Sequence, residues 1–407
     1  MTTFLLVIIY LAFISLGLPD SLLGAAWPVM QLDLEAPLET AGILFMTISG
    51  GTIISSLLSG KLLKRFGTGK VAFVSVLMTA GALLGFNFAP SVVWLIVCAI
   101  PLGLGAGAVD AGLNDYVATN YKAHHMSWLH SFWGVGATLG PIIMAQFILE
   151  DNSWRNGYFV ISCLQFALVI ILLFTLPLWS KVKKPALNEE TGYSKDVIND
   201  EEAKDVKPLQ IKGVNLALVS FLFYCGVEAI IVLWGSSFLV NVKGLSAATA
   251  AGCVSFYYAG ITIGRFITGF ITFKTTNRTL IRVGQIIALT GAVILILPLP
   301  SIFSLAGFII VGLGLAPIFP CMLHETPTRF GKKHSQTIMG YQMAIAYSGT
   351  TFMPPLLGFI ASFSTIGILP ICIVIFVAIM LISSEKLNSL MKKKDLLKSR
   401  DTSSSVM

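Results

Sequence analysis

Asp20, Asp110, Asp115 and Glu228 stand inside stretches of sequence that are otherwise apolar. An ionisable side chain at the centre of a membrane helix costs about 2.5–3.5 kcal/mol even on insertion scales, and it persists where it faces water or a partner. Such acids offer two chemistries: they load and release a proton, or they accept hydrogen bonds from the hydroxyls of a solute. Asp110 belongs to the stretch GLGAGAVDAGLNDYV (103–117). It falls about 16 residues into its helix, roughly 24 Å along it. Gly103, Gly107, Asp110 and Asn114 recur every three or four residues and share one helical stripe. The glycines make room for a neighbouring helix or a solute, and the two polar groups point the same way. A permanent ion pair is the competing reading, yet the N-terminal apolar stretches contain no interior Lys or Arg. Asp110 is therefore expected to couple transport to protons, with Asn114 binding substrate beside it.

Asp20 follows Pro19, which breaks the backbone ladder and frees a carbonyl. Proton coupling and substrate binding are both expected of Asp20, against the alternative of an acid capping a broken helix. The same two roles are expected of Glu228, close to the midplane of its own stretch. Trp234, and Trp133 as its counterpart in the other half, could stack on a sugar ring. Tyr257, Gln342 and Tyr347 are uncharged hydrogen-bonding groups suited to hydroxyls, although packing competes as a reading for each aromatic. Asp115 points about 100° away from Asn114 around the helix. It is expected to pair with His130 or Arg265 as a gate. His324 and Glu325 read as a solvated helix end.

No catalytic set is present: there is no phosphate-binding Gly-rich loop with its lysine, no H-E-x-x-H, no serine elbow and no metal cluster. An enzyme is not expected, and neither is a cofactor. The run GLGAGAVDAG echoes a dinucleotide fingerprint, but it follows an apolar helix where that fingerprint needs a strand. The six cysteines fall in apolar stretches without paired spacing and read as packing residues.

These residues need elements to hold them. Apolar residues form 55% of the 407 and charged residues only 12%, with a mean hydropathy of +0.83, which excludes an ordinary soluble domain. Twelve stretches are long and apolar enough to cross a bilayer: 4–30, 38–60, 70–90, 92–121, 127–149, 157–180, 211–241, 246–273, 280–298, 301–328, 335–363 and 366–384. Without water to satisfy the backbone, each must be a helix. Threaded through those spans, all of the 27 Lys and Arg except Arg155, Lys243 and Arg265 fall on one side. By the positive-inside rule that side, with both termini, is expected to be cytoplasmic. The net charge of +7 is a topology and headgroup signal, and nucleic acid is not an expected partner.

A polar, mixed-charge stretch at 181–210 separates six spans from six and reads as a flexible linker. The halves resemble each other. SGGTIISSLLSG (49–60) parallels AGITIGRFITGF (259–270), GLGAG (103–107) parallels GLGLA (312–316), and GATLGP (136–141) parallels GTTFMP (349–354). Three matches in the same order argue for a duplicated unit with a substrate path between the copies.

With twelve spans, a central linker and the loop GKLLKRFGTGK (60–70), the chain resembles the major facilitator superfamily. The loop is similar to that family's G-x-L-x-D-R-x-G-x-K signature at Gly60, Leu62, Arg65, Gly67 and Lys70, and has Lys64 where the signature has aspartate. The resemblance implies a gating role for Lys64 and Arg65, without a latch built on that aspartate. Within the superfamily the chain resembles the fucose–galactose–proton symporter branch. The stretches GLPDSLLGAAWP (17–28), G-x-G-x-G-x-x-D-x-G-x-N (103–114) and YCGVEAIIVLWGSSFLV (224–240) carry that likeness, with 129–141 and 340–358. In that branch the carboxylates of the first and fourth helices are implicated in sugar binding and proton coupling, which here implies Asp20 and Asp110.

The expectation is an all-α membrane protein of twelve transmembrane helices in two pseudo-symmetric six-helix bundles. Its bounds are 1–180, a cytoplasmic linker at 181–210, 211–385, and a cytoplasmic tail at 386–407. It is expected in the plasma (inner) membrane as a monomer whose partners are the bilayer and a small solute, a sugar. The expected function is secondary transport of a monosaccharide by proton symport, with sodium as the alternative ion. Competing readings are a proton-coupled drug or metabolite exporter and a non-transporting nutrient sensor.

Overall fold

The structure, a computed structural model, describes residues 2–179 and 208–404 apart from 122, 152, 272 and 273. The expected linker therefore lies, up to residue 207, outside the described residues. Fourteen α-helices follow in order: α1 (Thr2–Asp20), α2 (Leu22–Asp33), α3 (Thr40–Phe66), α4 (Thr68–Asn87), α5 (Val92–Asn120), α6 (Ala123–Asp151), α7 (Trp154–Trp179), α8 (Val214–Asn241), α9 (Ala247–Ile271), α10 (Asn277–Ile296), α11 (Ser301–Leu315), α12 (Ile318–Phe330), α13 (Lys332–Ser362) and α14 (Leu369–Ser404). They form twelve spans, and no strand occurs among the described residues. An even number of spans leaves both ends of the chain on one side, called here the terminal side; the opposite one is the far side.

Two spans are broken. The first divides at Ser21, just after Pro19 and Asp20, into α1 and α2. The tenth divides at Ala316 and Pro317 into α11 and α12, where the proline lacks an amide to continue the ladder. α14 runs unbroken past residue 385, through the segment expected as a cytoplasmic tail, to Ser404.

Each half repeats the other's packing. The first span lies on α6 as α8 lies on α13; α3 lies on α5 as α9 lies on α11; α4 lies on α5 and α7 as α10 lies on α11 and α14. The glycines make the duplication specific. Gly103 sits on the carbonyl of Ile48 and Gly312 on that of Tyr257; Gly105 sits on the carbonyl of Ser75 and Gly314 on that of Gly284. All four pairs are related by one sequence offset, and at each a Cβ would strike backbone. Buried glutamines tie the outer spans. Gln165 of α7 accepts from Thr79 of α4 at 2.7 Å and donates to the Ser15 carbonyl at 2.9 Å, while Gln285 of α10 donates to Ser384 of α14 at 3.0 Å.

Contacts between the halves concentrate on the far side. Gly24 of α2 abuts Val232 and Leu233 of α8, Ser236 Oγ donates to the Ala25 carbonyl at 3.3 Å, and Gly42 of α3 abuts Pro355 of α13. α6 and α9 touch along much of their length, with Gly134 at Thr262 and Gly252 at Ala145. Towards the terminal side, α5 packs chiefly on α3 and α4, and α12 on α10 and α13, each within its own half. The halves therefore close on the far side and part on the terminal side.

Candidate functional site

Four elements bring the interior acids together. Asp20 ends α1 at the Pro19 break, and its carboxylate Oδ2 accepts the indole N–H of Trp133 from α6 at 2.7 Å. Gly17, one turn earlier, lets α1 press against the Trp133 backbone, which sets that distance. Asp110 of α5 lies within electrostatic range of Asp20, and Tyr347 of α13 within range of Asp110. Asn114 donates from Nδ2 to Asp110 Oδ1 at 2.9 Å and to the Asp110 carbonyl at 3.0 Å, leaving its own Oδ1 without a partner. Asp20 is exposed and Tyr347 is 41% exposed although both lie deep among the helices, so the space between the halves admits water.

The C-terminal half contributes the counter-charge. Arg265 of α9 pairs with Glu228 of α8 at 3.9 Å, and the guanidinium lies 6.0 Å over the Trp133 ring. Tyr258 meets the same indole edge-on at 6.0 Å. Trp133 is thus met by an N-half carboxylate at its N–H edge, by C-half Arg265 over its face and by Tyr258 in an edge-on contact. Tyr224 and Tyr257 complete the surroundings of the pair, and the Tyr257 hydroxyl has no hydrogen-bond partner. Tyr224 was not anticipated; it lies four residues before Glu228 on the same helical face, and that spacing is the signal that could have found it.

Several expected positions differ in the structure. Trp234, expected to stack on a sugar ring, is fully buried; its indole donates to the Pro354 carbonyl at 2.8 Å and its ring covers Gly358, so it packs α8 on α13. Gln342 is also buried, accepting from Thr326 of α12 at 3.1 Å, and is a tie within the C-terminal half. Tyr257 is closed off from solvent in the same way. Gly103 and Gly107 face α3, where Thr52 and Ser56 bond their carbonyls, so only the Asp110–Asn114 end of that stripe faces the acids. Arg265 takes Glu228 as a partner; the Asp115 side chain, expected to pair with His130 or Arg265, lies outside the described residues. His130 stands edge-on to Phe13 within range of Arg265. Lys64 and Arg65 end α3 on the terminal side, Arg65 stacked over Phe66 at 5.3 Å, and neither makes an ion pair among the described residues.

Glu325, expected at a solvated helix end, is instead only 12% exposed and is shared by Arg329 at 3.0 Å and Arg278 at 3.3 Å. Arg282 binds Glu385 of α14. Together these pairs weld α10, α12 and α14 at the terminal side of one half.

The Major Facilitator Superfamily model matches residues 9–354. The glucose/mannose transporter GlcP of Bacillus subtilis is 24% identical, over 77% of this chain and 77% of its own. The cis,cis-muconate transport protein of Acinetobacter baylyi is 21% identical, over 88% and 87%. Among solved structures, the inward open conformation of the xylose transporter XylE from E. coli superposes with a TM-score of 0.73 at 12% identity, covering 95% of this chain and 96% of that one; the likeness is one of fold.

Proposed function

The chain belongs to the Major Facilitator Superfamily, and from that premise we propose that this transporter moves a monosaccharide by proton symport through alternating access of its two halves. The observation that carries the reading is that Asp20 and Asp110 lie within electrostatic range of each other in one watered interior and, among the described residues, neither forms an ion pair with a cation of its own half. Two carboxylates that must pass through an occluded state are neutralised by protons, since burying them charged and unpaired costs several kcal/mol. Asp20 and Asp110 each take up a proton or give it up; Asn114 Oδ1 and the Tyr347 hydroxyl bond sugar hydroxyls beside them. The indole of Trp133 follows the state of Asp20 through its N–H. In this reading the terminal side is cytoplasmic, the state described is inward-facing, and proton loss to the cytoplasm accompanies release of the sugar. The sugar named for GlcP supports the solute class, and the acid named for the muconate protein marks the competing one.

The test is uptake of labelled glucose, mannose and fucose into proteoliposomes under an imposed proton or sodium gradient. Accumulation driven by the proton gradient alone is expected. Accumulation driven only by sodium replaces the ion, and a vesicle that moves no sugar but extrudes a cationic dye overturns the reading in favour of an exporter.

A further inference from the structure

Among the described residues Arg265 is the one cation within contact range of the site, so what holds it decides how the site treats an anion. Its guanidinium stands 3.9 Å from Glu228 Oε1, beyond hydrogen-bond distance but well inside Coulomb range. Both side chains keep access to the open space, at 29% and 24% exposure. Glu228 thus neutralises the guanidinium without occupying its N–H groups, and the Tyr224 side chain lies beside both partners. Across the space, Asp20 and Asp110 add two carboxylates that have an indole and an amide for partners and, among the described residues, no ion pair. A sugar acid brought there would find a cation already balanced, with negative charge opposite it whenever Asp20 or Asp110 is unprotonated. A neutral sugar would find donors on Arg265 that Glu228 leaves unoccupied and acceptors on Asp20 and Asp110.

We propose that Glu228 is a specificity-determining residue: by holding Arg265 in a loose ion pair it reserves the guanidinium for neutral hydroxyl and carbonyl oxygens and excludes carboxylate-bearing sugars from the site. This rests on the sugar reading above. It separates the chain from acid carriers of the same fold by charge balance and not by the presence of an arginine, since removing the partner of a paired charge leaves that charge available to another anion.

D-glucuronate and D-glucuronamide match in size and differ by one charge. Each is used to compete with labelled glucose exchange in proteoliposomes at equal pH on both sides, and to stabilise the detergent-purified protein against heat. For the wild type, glucuronamide is expected to compete at least ~10-fold more strongly than glucuronate, about 1.4 kcal/mol by the usual conversion. In Glu228→Gln the gap is expected to close or reverse through a gain for glucuronate, while Arg265→Gln gives no such gain. Glucuronate competing as well as glucuronamide in the wild type overturns the proposal, as does an unchanged gap in folded Glu228→Gln. The wild-type comparison decides by itself if that variant does not fold. Failure of glucose exchange strikes the sugar reading, and the thermal-stability arm then still reads the charge preference: greater stabilisation by glucuronate than by glucuronamide overturns it.

Discussion

Asp20 and Asp110 are held differently, and the proposed cycle depends on the difference. Asp110 is bonded within its own helix by Asn114, one turn away, whereas Asp20 is bonded across helices by Trp133. Asp110→Asn is expected to abolish gradient-driven sugar accumulation while sparing exchange at equal pH, because the amide keeps hydrogen bonding and loses the titrating proton. Unchanged accumulation in vesicles would remove Asp110 from the coupling step. Trp133→Phe keeps an aromatic ring, smaller than the indole, and loses the N–H. A hydrogen bond to a charged group is worth about 1.5–3 kcal/mol, and the lower end applies at an exposed carboxylate, so roughly a tenfold rise in half-saturating sugar is expected from transport kinetics. The acids were legible in sequence because a carboxylate in an apolar run stands out in one dimension. The partner of Asp20 was not, since Trp133 lies 113 positions away and is one of seven tryptophans.

At the scale of elements, glycine decides which helices touch. Gly103 has the Ile48 carbonyl where a Cβ would be, and Gly81, on α4, has open space. Gly103→Val is expected to cost about 1–3 kcal/mol of thermal stability in detergent through overpacking, with Gly81→Ala unchanged or higher. Equal midpoints for the two variants would contradict the close approach of α3 and α5. The terminal-side weld makes a parallel case. Removing the charge in Glu325→Gln leaves Arg329 and Arg278 unpaired around a mostly buried position and is expected to lower stability by about 1–3 kcal/mol, read from the same melts. The two far-side basic residues, Arg155 and Lys243, each bond a carbonyl at a chain turn, Ala89 and Leu297, at 2.9 Å. Arg155 also pairs with Asp33, and these ties account for basic residues on the side otherwise without them.

Across the whole molecule, the closed far side and parted terminal side predict an asymmetry of access. In a background lacking the six native cysteines, Tyr347→Cys is expected to react with a membrane-impermeant thiol reagent applied from the terminal side, and Ser236→Cys to resist it from either side. Reaction of both from the far side would place the opening on the wrong face. A saturating sugar that drives occlusion should slow labelling at Tyr347→Cys, which ties access to the transport cycle.

By itself the sequence determined the spans and their number, because hydrocarbon leaves a backbone no other way to satisfy its hydrogen bonds and a span needs a countable length. It also determined the duplication, through glycine patterns that repeat, and singled out Asp20, Asp110 and Glu228 by their cost. Only the tertiary structure decided which of those groups meet. Trp234 and Trp133 are the same residue type at similar depth, yet one is sealed against Gly358 and the other faces Asp20, Arg265 and Tyr258. Arg265 found Glu228, a pairing that the sequence did not single out. Helical period assigns a residue to a face; which helix or solvent lies against that face depends on how twelve spans pack, and that is written in contacts between residues far apart in the chain.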